Sequence, residues 1–121
     1  MRIALRKIKY LGNIVLTSKT VYEGISSILE SLRNSDLEGA KRKLDQLSPE
    51  VKGERERGSI MAAAGIYTGM LKGKDGSIQS WDPDRIRRAA TTVKSSQMAD
   101  DFDRGFAETL QAYADLIQRP A

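Results

Sequence analysis

A chain of 121 residues with 40% apolar and 30% charged positions can bury one hydrophobic core and is too apolar for a disordered segment. It holds no cysteine and no histidine, which excludes disulfides and thiol chemistry and removes both the usual general base near neutral pH and the commonest zinc ligand. The net charge of +4 is uneven, with five bases and no acid in residues 1–19 and five acids against two bases in residues 96–121. No run approaches the ~20 apolar residues of a membrane span. The lack of cysteine fits a reducing compartment, and a cytoplasmic location is expected.

The first segment reads as one long helix. Steps of three and four from Met1 give Ala4, Ile8, Leu11, Val15, Ser18, Tyr22, Ile25, Leu29 and Leu32, and Ser18 is the one polar member. A helix over residues 2–33 would be about 48 Å long. A strand at Asn13–Thr17 competes, because Ile14, Val15 and Leu16 form a short apolar run beside Gly12. The basic start also has the composition of a presequence or membrane-surface helix. The unbroken phase into the next segment favours a helix of the folded domain.

Asn34-Ser35-Asp36 stops that helix, and Ser35 with Glu38 forms a capping-box pattern for the next. Leu37, Ala40, Leu44 and Leu47 make a short amphipathic helix with Lys41, Arg42 and Lys43 mostly outside. Ser48-Pro49-Glu50 starts a third helix, over about residues 49–72. One side of it carries Ile60, Ala64, Tyr67 and Leu71. Gly58, Ala62, Gly65 and Gly69 lie roughly opposite. Each helical glycine costs about 1 kcal/mol against alanine, so a close backbone approach across this groove is expected to offset the cost. The flanking charges rule out a membrane-dimer reading of the Gly65–Gly69 spacing.

Gly73-Lys74-Asp75-Gly76-Ser77 ends the third helix, and residues 73–82 form the longest loop. Asp82-Pro83-Asp84 opens a fourth helix with Ile86, Ala89, Ala90 and Val93 inside and Arg85, Arg87 and Arg88 outside. A fifth runs from about Gln97 to Gln118 through Met98, Phe102, Phe106, Thr109, Tyr113 and Leu116. The pattern leaves open whether the fourth and fifth form one kinked rod.

No catalytic constellation is present. Asp100, Asp101, Asp103 and Glu108 could hold a hard cation, but acids belong in the first turns of a helix because the dipole favours them there. Gly69 to Gly73-Lys74 fails as a phosphate loop: its spacing is short, Asp75 replaces Ser/Thr, and no strand precedes it. The serines sit in no nucleophile elbow. Arg2, Arg6, Lys7, Lys9, Lys41, Arg42, Lys43, Arg85, Arg87 and Arg88 could merge into a face for nucleic acid, with Trp81 as a stacking platform or, alternatively, as a loop anchor. No helix-turn-helix, RNA-recognition or zinc motif accompanies them.

The stretch SILESLRNSDLEGAKRKLDQL loosely resembles the helical hairpins of translin-like and tetratricopeptide proteins. That resemblance spans about 21 residues, and it implies no functional residue here.

The expectation is therefore an all-α, up-and-down bundle of four to five helices, with a long N-terminal helix, as one domain over residues 1–121. Its core would comprise Ile8, Leu11, Val15, Tyr22, Ile25, Leu29, Leu44, Ile60, Tyr67, Leu71, Val93, Phe102, Phe106, Leu110 and Tyr113. Surplus apolar helix surface points to a non-enzymatic interaction or adaptor protein, with no cofactor or metal, that self-associates as a homodimer and meets a protein partner of unknown identity. The candidate dimer groove is Gly58, Ala62, Gly65 and Gly69. An RNA-binding helical domain using the basic clusters is the alternative.

Overall fold

The computed structural model describes residues 18–73 and 82–118. Among the described residues the chain forms five α-helices and one short 3-10 turn, with no strand. The helices are α1 (Ser18–Arg33), α2 (Leu37–Leu47), α3 (Glu54–Lys72), α4 (Pro83–Ser95) and α5 (Asp101–Gln118). The first half of the long helix expected over residues 2–33 lies outside the described residues, as do Ile8, Leu11, Val15 and the basic residues from Arg2 to Lys9.

Within α1 the apolar phase holds: Val21, Ile25, Ile28, Leu29 and Leu32 are buried. Its stop differs from the expected capping box. Ser35 has φ 61°, the left-handed conformation, and two backbone bonds close the helix around it, Ser35 N–H to the Leu32 carbonyl at 3.0 Å and Asp36 N–H to the Ser31 carbonyl at 2.8 Å. This is a Schellman closure with serine where glycine is usual. The cap of α2 consequently falls to Asp36, which accepts the Gly39 N–H at 3.0 Å. α1 and α2 form an antiparallel hairpin in which Gly24 faces Leu47, while Lys43 donates to Ser31 Oγ at 2.8 Å.

The segment expected as one helix over 49–72 is divided. Ser48–Glu50 is a 3-10 turn with Pro49 at its start, Val51 turns extended and buries its side chain, and α3 begins after Gly53. α3 ends at Gly73, whose φ of 59° lets its N–H reach the Gly69 carbonyl. Asp82 caps α4 by accepting the Arg85 N–H at 2.8 Å, as its sequence suggests. α4 and α5 are separate helices: Ser96 is extended, and α5 begins at Asp101, not near Gln97. Met98, expected within the fifth helix, lies in that connection and is 86% exposed.

The core gathers around α3 and α5, the most closely packed pair; α4 lies on α5, and α1 on both α2 and α3. Ile28, Leu32, Ile66 and Ile86 are essentially fully buried, each contributing about 1.5–3 kcal/mol of apolar transfer. Leu44, Ile60, Leu110 and Tyr113 are buried as expected, and Tyr22, Tyr67, Val93 and Phe106 pack partly buried around them. Phe102 is likewise only partly buried. Leu71 departs from expectation: it is 60% exposed. α3 buries Gly58, Ser59, Ile60, Ala62, Ala63 and Ile66 instead. Small residues let α5 approach closely on that side, which turns the larger Ala64–Tyr67–Leu71 row to the edge.

Candidate functional site

The α3–α5 crossing decides which part of the small-residue row is open. A Cβ on Gly58 would stand 2.8 Å from the carbonyl carbon of Phe102, and one on Gly105 would stand 2.8 Å from that of Arg55. Ser59 is fully buried beside them and donates from Oγ to the Gly105 carbonyl at 3.1 Å. Gly58 and Ala62 are thus enclosed within the chain. Among the described residues no neighbouring atom lies within 4 Å of where the Gly65 Cβ would be, and Gly69 is half-buried. The four positions do not form one open groove. The glycine pairing across α3 and α5 could be suspected from Gly105 in the middle of a helix, but the pattern does not say which two glycines meet.

What α3 turns outward is a mixed row with one large apolar side chain. Met61 is 53% exposed, and Gly65, Thr68 and Lys72 follow it at helical spacing. Next to this row, α2 and α3 enclose a groove of about 560 Å³ lined by Leu37, Tyr67 and Leu71 together with the side chains of Lys41, Arg42 and Asp45. The exposure of Leu71 follows from its place in this groove.

The basic clusters are dispersed and largely engaged. Lys41 bonds Asp45 at 2.8 Å, and that hydrogen bond raises its pKa above the ordinary lysine value. Lys43 is tied to Ser31. Arg87 donates to Asp115 at 2.8 and 3.2 Å, to Asp84 at 3.3 Å and to Gln118, chiefly bracing α4 on α5. Its bond to Asp115 is the main influence raising its pKa. Arg42 and Arg88 are exposed, as is Arg85. The first cluster and Trp81 lie outside the described residues, and the other two sit on α2 and α4, which pack chiefly on different helices.

The acids likewise have structural work. Asp100 Oδ1 accepts the Asp103 N–H at 2.9 Å, while Asp103 Oδ2 accepts the Asp100 N–H at 3.3 Å, a reciprocal cap at the start of α5. Glu108 takes both arms of the Arg55 guanidinium, Nε at 3.1 Å and Nη2 as well, which raises the Arg55 pKa. Among the described residues no three acids cluster as metal ligands, and no helix is long and apolar enough to cross a membrane.

No protein-family model, curated protein or solved structure matches this chain.

Proposed function

We propose that the chain is a non-enzymatic interaction module, an up-and-down helical bundle that self-associates as a homodimer through the outward row of α3. One observation carries this reading: α3 leaves Met61 53% exposed beside Gly65, whose Cβ position meets no neighbouring atom of the described residues within 4 Å. An exposed large apolar side chain gains by being covered, and a bare glycine lets a second backbone come close. Antiparallel pairing of two α3 helices would set the first-turn acid Glu54 of one against Lys72 at the end of the other. A cytoplasmic location accords with the absence of cysteine. Nucleic-acid binding has less support, since Lys41, Lys43 and Arg87 are engaged within the chain.

Multi-angle light scattering on the wild-type chain and on Gly65→Leu tests the proposal. The leucine enters open space, so the monomer keeps its fold while close approach is blocked. The expected result is a wild-type mass of two chains that falls to one in the variant. Unchanged dimer mass in the variant would overturn the contact, and a wild-type chain of single mass at all concentrations would overturn self-association.

A further inference from the structure

The outward row of α3 is complementary to itself. Glu54 opens the helix and Lys72 closes it. Glu54 lies seven residues before Met61, and Lys72 lies seven residues after Gly65. Seven residues are close to two helical turns, so at 100° per residue the four positions fall within about 40° of one another. Along the helix they read acid, large apolar side chain, open glycine and base.

Turned end for end, this row meets itself in one register. Setting Glu54 of one copy against Lys72 of another also sets Met61 against Gly65, and a two-fold axis repeats both pairs. The flexible Met61 side chain then fills the space over a bare glycine, as a knob fills a hole. Both ends are open to such a partner. Lys72 is exposed and has no bonding partner among the described residues. Glu54 is exposed and meets Arg57, three residues on, at 3.4 Å. At 1.5 Å per residue the two ends stand about 27 Å apart, beyond a screening length of ~10 Å, so each ion pair acts on its own. In a parallel pair Glu54 would face Glu54 and Lys72 would face Lys72, which like-charge repulsion disfavours.

Building on the self-association proposed above, we propose that Glu54 and Lys72 set partner choice in the homodimer, holding two copies of α3 antiparallel with Met61 of each over Gly65 of the other.

Sedimentation equilibrium of the full chain in ~100 mM salt compares wild type, Glu54→Lys, Lys72→Glu and an equimolar mixture of the two variants. Each reversal puts two like-charged pairs into its own homodimer, so each variant alone should dimerise at least ~10-fold more weakly than wild type. In the mixture a chain with bases at both ends meets a chain with acids at both ends. Dimerisation should then recover to the wild-type level, which also shows that both variants are folded. The differences should shrink in ~1 M salt, where the screening length is ~3 Å. A wild-type dimer that neither reversal weakens would overturn the antiparallel register and leave self-association standing. A mixture that fails to recover would overturn the register as well. A wild-type chain of single mass would overturn self-association and this pairing with it.

Discussion

Gly58 of α3 and Gly105 of α5 mark a reciprocal crossing, each lying where a Cβ would strike the other helix's backbone, Phe102 in one direction and Arg55 in the other. The blocking atoms are main-chain carbonyls, which no rotamer change can move. Gly58→Ala and Gly105→Ala should each destabilise the chain by about 3 kcal/mol or more, despite alanine's better helix propensity. At the open Gly65 the same change should stabilise by about 1 kcal/mol. Urea midpoints of the three variants at a concentration that keeps the chain monomeric check the contrast, and a loss at Gly65 as large as at Gly58 would contradict it.

Ser35 holds a left-handed backbone at φ 61°, a conformation that costs a residue with a Cβ about 1–2 kcal/mol. Ser35→Gly removes that strain but loosens the unfolded chain. A net gain of about 0.5–1 kcal/mol is expected in thermal unfolding. Ser35→Val should be destabilising by more than that, because a β-branched side chain fits the left-handed region worst.

The mutual cap of Asp100 and Asp103 predicts a specific non-additivity. Asp100→Ala leaves the Asp103 N–H without its acceptor and should cost about 1 kcal/mol. Once Asp100 has been replaced, removing Asp103 as well should cost much less than the sum of the two single losses, because the two bonds form one motif. A double-mutant cycle by chemical denaturation reads this directly. Full additivity would mean the two carboxylates act separately.

Tyr22 and Tyr113 should ionise late in an alkaline titration followed by absorbance near 295 nm. Burial is the main influence raising the Tyr22 phenol above its ordinary value, and burial alone raises Tyr113. The folded state therefore holds these protons more tightly than the unfolded chain. Their contribution to stability is complete below pH ~10 and declines as pH rises from there through the folded values. The Tyr22 hydroxyl is buried without a hydrogen-bond partner among the described residues, so Tyr22→Phe should be neutral or stabilising and should flatten part of the alkaline decline. A loss of 1 kcal/mol or more on Tyr22→Phe would instead reveal a bond to that hydroxyl.

Much of the helical architecture was legible in the residues themselves. The rows Ile25–Leu29–Leu32, Ile86–Ala90 and Leu110–Tyr113 repeat at helical spacing and are buried, because local periodicity records which face of a helix avoids water. Asp82 before Pro83, and Gly73 after Lys72, likewise announce their caps, since capping needs only neighbours in sequence. Tertiary structure alone decided which side of α3 faces inward. That helix is apolar on both sides, so its pattern does not distinguish Leu71 from Ile66; the fit of Gly58 against Gly105 does, by turning the small-residue side toward α5. The same holds for the charges. Sequence places Lys41, Arg55 and Arg87 on helix surfaces, but whether such cations stand ready for a partner depends on the acids that packing brings alongside. Glu108 and Asp115 are 53 and 28 residues away from Arg55 and Arg87, and only the packing of α5 against α3 and α4 brings them together.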